Sequence, residues 1–156
     1  MSNFIGEFEC RVDDKSRIML PAGLKKQLDP AAQEKFVVNR GFGKYLVLYP
    51  MNEWEKISKQ LAKLNMFVQK NRDFVRYFQR GATELVLDGT GRLLLPKRLL
   101  AYASIKKEVV FSSTPNGIEV WAKDLYEGFF KEEPEDYATL AEEVMGKIND
   151  EDKEIT

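Results

Sequence analysis

The sequence of 156 residues contains no histidine and only one cysteine, Cys10. The absence of histidine removes the usual general base at neutral pH and the Ser–His and Cys–His nucleophilic sites that depend on it. A single thiol cannot form a disulfide within the chain, and zinc sites normally need several Cys or His ligands. We therefore expect no enzyme, no metal site and no cofactor, and a protein of the reducing cytoplasm.

Long apolar runs are also lacking, since no run approaches the roughly 20 residues needed to span a bilayer. The first residues, MSNFIGEFEC, do not place an apolar stretch after a basic one, so they do not predict a secretory signal. Hydrophobic residues make up 44% of the chain, which is enough to build a core. We expect a globular protein that has no membrane partner.

Charge is distributed unevenly along a chain whose net charge is −1. Residues 131–156 contain 3 basic and 10 acidic residues, whereas residues 1–130 contain 21 basic and 15 acidic residues. A basic body with an acidic end indicates a polyanionic partner such as nucleic acid. Charged ends also occur where they serve only solubility, so charge by itself leaves the partner open.

One unusual turn occurs twice in the sequence. VDDKSRIMLPAGL begins at Val12 and LDGTGRLLLPKRL begins at Leu87, and the two stretches share Asp, Arg, Leu, Pro and Leu at a constant offset of 75 residues. Each copy predicts strand, turn, strand, short helix, β-hairpin and helix, in an α+β arrangement. At the same offset, Phe36 of the first hairpin aligns with Phe111 of the second. Two units of this length are too few and too long for a solenoid, so we expect them to intertwine about a pseudo-twofold axis.

The chemistry of the turns predicts how each is held. Asp13 and Asp88 begin the turns, where a carboxylate can accept hydrogen bonds from nearby backbone N–H groups. Gly91 can adopt a positive φ at little cost, whereas Ser16 occupies the equivalent place in the first turn. The first turn is therefore expected to be strained or differently shaped.

Cations follow both turns. Arg17 and Arg92 end them, and a guanidinium suits bidentate contact with a guanine edge or a phosphate. Lys15 adds a second cation to the first turn, where the second turn has Thr90. In an alternative interpretation, each arginine pairs with the aspartate of its own turn and only stabilises that turn. A stabilising pair would also repeat, so both interpretations stay open at this point.

The sequence resembles the MraZ family, bacterial transcriptional regulators encoded at the head of the division and cell-wall gene cluster. The resemblance covers the N-terminus to about Lys147 and includes both D-x-x-[GS]-R-x-x-x-P turns, VLYPMNEWE, NRDFVRYFQRGATE and DGTGRLLLPKRLL. It implies a β-barrel-like domain made of two AbrB-like swapped-hairpin repeats with flanking helices. It also implies ring-like homo-oligomers in the cytoplasm, associated with the nucleoid, that bind direct repeats in promoter double-stranded DNA. The family's DNA-contacting positions fall here on Lys15, Arg17 and Arg92.

The resemblance sets the expected boundaries and the alternative function. We expect one intertwined domain over residues 1–147, composed of repeat one (6–80) and repeat two (81–147), followed by a disordered acidic tail (148–156). The first turn reads Lys-Ser-Arg where the family usually has Lys-Gly-Arg. We expect a sequence-specific DNA-binding regulator of the division and cell-wall gene cluster. The alternative is an AbrB-like antitoxin or protein-interaction module, although antitoxins of that type usually carry one copy of the unit.

Overall fold

The computed structural model describes residues 4–131 and 136–155. Its strands are β1 (Glu7–Arg11), β2 (Arg17–Met19), β3 (Lys35–Arg40), β4 (Leu46–Pro50), β5 (Thr83–Val86), β6 (Arg92–Leu94), β7 (Glu108–Ser113) and β8 (Ile118–Ala122). Its helices are α1 (Ala22–Lys25), α2 (Met51–Ala62), α3 (Gln69–Gln79), α4 (Lys97–Tyr102), α5 (Lys123–Lys131) and α6 (Tyr137–Ile155). The fold is α+β, as expected, and each repeat follows the predicted order as far as its β-hairpin, after which two helices follow where one was predicted.

The strands form one open sheet and one small ribbon, not a barrel. The large sheet is antiparallel with the order β1-β7-β8-β4-β3-β5, and β2 pairs with β6 in the separate ribbon. The prediction of a β-barrel-like domain is therefore wrong for this structure. The turn after β1 and the turn after β5 lead the chain into the ribbon, and one isolated bridge, between Val12 and Ile18, links the end of β1 to it.

The two repeats exchange strands. The first strand of repeat one, β1, pairs with β7 of repeat two, and the first strand of repeat two, β5, pairs with β3 of repeat one. At the centre of the ribbon, Ile18 lies opposite Leu93, which is its equivalent in the other repeat. Between β4 and β8 the pairing is likewise centred on Val47 and Glu119. The strand pairing is thus symmetric, because replacing each residue by its equivalent in the other repeat gives the same pairs.

The register also corrects the alignment of the hairpins. Phe36 pairs with Leu85, whereas Cys10, the equivalent of Leu85, pairs with Val109. Phe36 therefore corresponds to Val109, at an offset of 73 residues, and its predicted match to Phe111 is wrong. The first repeat has a 3-10 turn at Pro30–Ala32 before its hairpin, followed by two residues of positive φ (Gln33 and Glu34), and this linker is two residues longer.

Apolar side chains from both repeats fill a single core. Those on the inner face of the ribbon, Ile18 and Leu93, are 1% and 0% exposed. Burying a side chain of this size stabilises a fold by about 1.5–3 kcal/mol. Other members of this core are Leu24, Phe36, Val38, Leu46, Leu48, Leu99, Val109, Phe111 and Ile118. The ribbon is therefore fixed to the core through one face while its other face stays outside.

The chain divides into two compact units, Met1–Tyr126 and Glu127–Thr156. This boundary lies well before residue 147, where the folded domain was expected to end. Helix α6 continues through residues 148–155, for which the sequence predicted a disordered tail, and Thr156 lies outside the described residues. Neither proline nor glycine occurs after Gly146, so the sequence contains no residue that ends a helix there. Within the described ranges no helix is both long and apolar enough to cross a membrane.

The junction of the two repeats at Gly81 gives a test of this packing. Gly81 has φ +87, and a Cβ there would lie 3.0 Å from Cδ2 of Leu99. We expect Gly81→Ala to lower the free energy of unfolding by about 1–2 kcal/mol, because an L side chain is strained at this φ. Urea denaturation at one protein concentration measures the change.

Gly89→Ala is the matched control for Gly81→Ala. A Cβ at Gly89 meets no atom within 4 Å. We expect its effect to stay within about 0.5 kcal/mol. Equal losses in the two variants would contradict the geometry assigned to the junction.

Candidate nucleic-acid interface

The aspartate carboxylates of the two turns accept the same three hydrogen bonds, and Asp88 accepts a fourth from the hydroxyl of Thr90 at 2.9 Å. Asp13 Oδ1 accepts from the backbone N–H groups of Lys15 and Arg17, both at 2.9 Å, and its Oδ2 accepts from Arg17 Nε at 2.8 Å. In the second turn Asp88 accepts equivalent bonds from the N–H groups of Thr90 and Arg92 at 2.9 Å and from Arg92 Nε at 3.0 Å. Each carboxylate therefore determines the shape of its turn and also the direction of its arginine.

Both turns require a left-handed residue before the arginine. Gly91 has φ +82 and Ser16 has φ +64, and each donates its N–H to the carbonyl oxygen of its turn's aspartate at 3.0 Å. The first turn thus adopts the geometry of the second in spite of its side chain. A non-glycine residue in this conformation costs about 1–2 kcal/mol. The strain expected in the first turn is present, while its shape is the same.

Hydrogen bonding keeps both carboxylates ionised. The pKa of Asp13 and of Asp88 is lowered, first by the backbone N–H of the arginine that ends each turn. A carboxyl group whose pKa is lower in the folded state stabilises the fold above its unfolded pKa, and this stabilisation is lost as the pH falls through the folded pKa. Both carboxylates are therefore ionised throughout the neutral range of pH.

The ion pairs use only part of each guanidinium. Arg17 and Arg92 donate through Nε, and within the described part of the chain Nη1 and Nη2 of both make no hydrogen bond. Both side chains are 30% exposed. Pairing with the aspartate and contact with a nucleic acid, the two interpretations of these arginines, are thus compatible in one geometry. The aspartate holds Nε, and the Nη groups remain available to a pair of acceptors such as a guanine edge or phosphate oxygens.

The ribbon brings both arginines to one outer face. Arg17 lies opposite Leu94, and Arg92 lies opposite Met19. Because successive side chains of a strand alternate, these four residues share the face that points away from the buried Ile18–Leu93 pair. Two equivalent backbone hydrogen bonds also join the ends of the ribbon. The carbonyl of Ser16 accepts from the N–H of Leu95 at 2.8 Å, and the carbonyl of Gly91 accepts from the N–H of Leu20 at 3.0 Å. We call these four residues (Arg17, Met19, Arg92 and Leu94) the outer face.

Lysines surround the outer face. Lys15 lines an open groove of about 520 Å³ together with Leu94 and Lys97. On the opposite side, a Cβ added at Gly91 would lie 4.0 Å from Nζ of Lys25. The structure thus places all three predicted DNA-contacting residues, Lys15, Arg17 and Arg92, on or beside a single surface. That surface suits an anionic partner.

Sequence reasoning missed two members of this surface, Met19 and Leu94. A signal for them was present, because the alternation in RIMLP and RLLLP places the middle residue opposite to its buried neighbours. The two stretches were predicted only as short strands, and no face was assigned to their residues.

Comparison with known proteins agrees with the repeats. The family described as "MraZ protein, putative antitoxin-like" matches residues 3–77 and again residues 78–147. Two repeats were predicted, at 6–80 and 81–147, with the first three bounds three residues later and the last bound the same. A protein of Flavobacterium psychrophilum named transcriptional regulator MraZ is 48% identical over the full length of both chains. Proteins of the same name from Christiangramia forsetii and Cytophaga hutchinsonii are 49% and 39% identical, covering 94% and 93% of this chain and 95% and 96% of their own.

The left-handed residue of each turn can be exchanged to test the strain. Ser16→Gly is expected to raise the free energy of unfolding by about 0.5–1 kcal/mol, because the relieved strain exceeds the extra entropy of glycine in the unfolded chain. Gly91→Ser is expected to lower it by a similar amount. Thermal or urea unfolding of both variants measures the difference, and changes of the same sign would show that the two turns are not equivalent.

Proposed function

This chain belongs to the MraZ family, and we propose that it is a sequence-specific DNA-binding transcriptional regulator. The observation that carries the proposal is the outer face, on which two arginines project from a rigid ribbon with their Nη groups free of hydrogen bonds within the described residues. The relatives that share most of its length are named transcriptional regulators. Cytoplasmic, nucleoid-associated localisation follows from this function.

The ribbon binds in the major groove of promoter DNA. A two-stranded β-ribbon fits the width of that groove, and arginine binds guanine O6 and N7 there with two hydrogen bonds. Arg17 and Arg92 therefore read guanines, each held in direction by the ion pair to its aspartate. Lys15 and Lys97 lie beside the ribbon, where an ammonium group can neutralise a phosphate.

Binding to direct repeats requires several subunits, and we infer that these form a ring. The first unit exposes large apolar side chains around α3: Phe67 is 96% exposed, Phe42 is 85% and Tyr77 is 74%. Phe42 and Tyr77 also line a groove of about 340 Å³ with Phe74 and Phe78. A protruding Phe67 and an aromatic groove on the same molecule suit a head-to-tail interface, which closes into a ring when the rotation allows it. Consecutive sites in such a ring point the same way, which suits direct repeats at promoters of the division and cell-wall gene cluster.

A second candidate function is that of an antitoxin-like protein-interaction module. The description of the family as antitoxin-like favours it. Helix α6 also exposes the apolar side chains of Leu140, Val144 and Ile148, by 44%, 53% and 47%. In that function the helix would contact another protein, and the arginines of the outer face would be needed only for the turns.

Substituting the two arginines separates these functions. Arg17→Ala and Arg92→Ala are each expected to weaken binding to tandem-repeat DNA by about 5- to 150-fold per contact, which corresponds to about 1–3 kcal/mol. Arg17→Lys should keep the salt dependence and lose discrimination between bases, because lysine lacks the planar fork. Fluorescence anisotropy over a salt series measures both quantities.

Lys59→Ala is the control for the arginine variants. Lys59 is exposed on α2 and does not line the aromatic groove, so the substitution removes the same charge away from the ribbon and from the proposed subunit interface. We expect affinity close to that of the unchanged protein. If Arg17→Ala and Arg92→Ala bind DNA normally while they stay assembled, the DNA-reading function is wrong and the protein-interaction function takes its place.

The ring can be tested at Phe67. We expect Phe67→Glu to reduce the oligomer to smaller species, because a carboxylate cannot enter the aromatic groove of a neighbour without losing its hydration. Ile5→Glu is the matched control, since Ile5 is 77% exposed and is remote in sequence from the aromatic residues of the groove. Light scattering after size-exclusion chromatography measures the mass. An unchanged mass for Phe67→Glu would exclude this side chain from the interface.

A further inference from the structure

Two large apolar side chains are exposed on the outer face of the ribbon. Met19 is 49% exposed and Leu94 is 60% exposed, whereas their chain neighbours Ile18 and Leu93 are buried. Each lies directly opposite an arginine, Met19 opposite Arg92 and Leu94 opposite Arg17. The pseudo-twofold symmetry of the two repeats therefore produces the same pair twice, and each pair has one arginine beside one apolar side chain.

The surroundings of this apolar pair are cationic. Lys15 and Lys97 line the groove that contains Leu94, and Glu84 is the one acidic residue among the described residues that line it. Nζ of Lys25 lies close to the position of Gly91, whose Cβ would be 3.6 Å from Sδ of Met19. An apolar protein partner covering Met19 and Leu94 would also have to cover these ammonium groups, at a high cost in lost hydration. The partner that fits is an anion that presents an apolar group at short range.

DNA presents one such group in the major groove, the C5-methyl of thymine. Opposite residues of an antiparallel pair have Cβ atoms about 4.5–5.5 Å apart, and adjacent bases of one strand are separated by about 3.4 Å along the helix axis. An arginine that binds a guanine therefore holds its cross-strand neighbour within about one to two base steps of that guanine.

We propose that Leu94 and Met19 read thymine by contact with its C5-methyl group, each beside the guanine bound by the arginine opposite to it. This rests on the proposed function, because it applies to the same face of the ribbon. Each arginine–apolar pair then recognises a guanine with a neighbouring thymine. The hydrogen bonds select the guanine, and the apolar contact distinguishes thymine from cytosine, which has no methyl group.

Deoxyuridine provides the test, because it removes the methyl group of thymine and leaves its hydrogen-bonding edge intact. The DNA is a duplex that the wild-type protein selects from random sequence, and each of its thymines is replaced in turn. Removing one buried methyl group is expected to weaken wild-type binding about fourfold at one or two positions. At one such position Leu94→Ala should bind thymine and deoxyuridine DNA equally, and Met19→Ala should do so at the other.

Ile5→Ala is the control variant, because it also removes an exposed apolar side chain, at a position that is 77% exposed and outside the ribbon. It should keep the full sensitivity of the wild type to deoxyuridine. Circular dichroism and oligomer mass verify that all variants are folded and assembled.

Three results would overturn the proposal. In the first, no deoxyuridine substitution weakens wild-type binding. In the second, Leu94→Ala and Met19→Ala keep the same sensitivity as the wild type. In the third, either substitution breaks up the oligomer, which would assign the face to contact between subunits. Each of these is distinct from failure of the proposed function, in which no duplex is selected or Arg17→Ala and Arg92→Ala bind normally.

Discussion

The outer face of the ribbon depends on one constraint, the three hydrogen bonds that the aspartate carboxylate accepts in the same pattern in both turns. Asp13 holds the N–H groups of Lys15 and Arg17 with one oxygen and the Nε of Arg17 with the other. The first two bonds fix the backbone that enters β2, and the third fixes the direction of the guanidinium. A side chain with several rotatable bonds is thereby ordered before any ligand arrives, so binding loses less conformational entropy. The same carboxylate thus stabilises the turn and orients the arginine for recognition.

The exchange of strands between the repeats places both of these turns on one surface. Neither repeat can build the ribbon alone, because its two strands, β2 and β6, and the buried residues at its centre, Ile18 and Leu93, come from different repeats. The carbonyls of Ser16 and Gly91 accept hydrogen bonds across the same boundary. A three-residue strand would be unstable by itself. The spacing between the two arginines is therefore a property of the whole core and not of either turn.

Local chemistry was predictable from the sequence, and the placement of strands was less so. The repeated Asp and Arg indicated the turns, since Asx-type geometry depends on residues within four positions of each other. The barrel was wrong because closure depends on which strands share an edge, a long-range property without a local signal. The match of Phe36 to Phe111 was wrong because two extra residues in a linker keep the apolar pattern in phase, as strands have a period of two. Met19 and Leu94 escaped notice since the three successive apolar residues after each arginine show no alternation of polar and apolar side chains.

The remaining differences between the repeats give the ribbon a direction. A ribbon with perfect twofold symmetry would read the two strands of DNA identically and would favour palindromic sites. Here both arginines are retained, but Lys15 stands where the second turn has Thr90, and Met19 stands where the second strand has Leu94. The two halves of the proposed contact therefore differ in charge and in apolar shape. A subunit with such a contact binds an asymmetric site in one orientation. Repeating that subunit by head-to-tail rotation then requires sites that all point the same way, which is the arrangement of direct repeats.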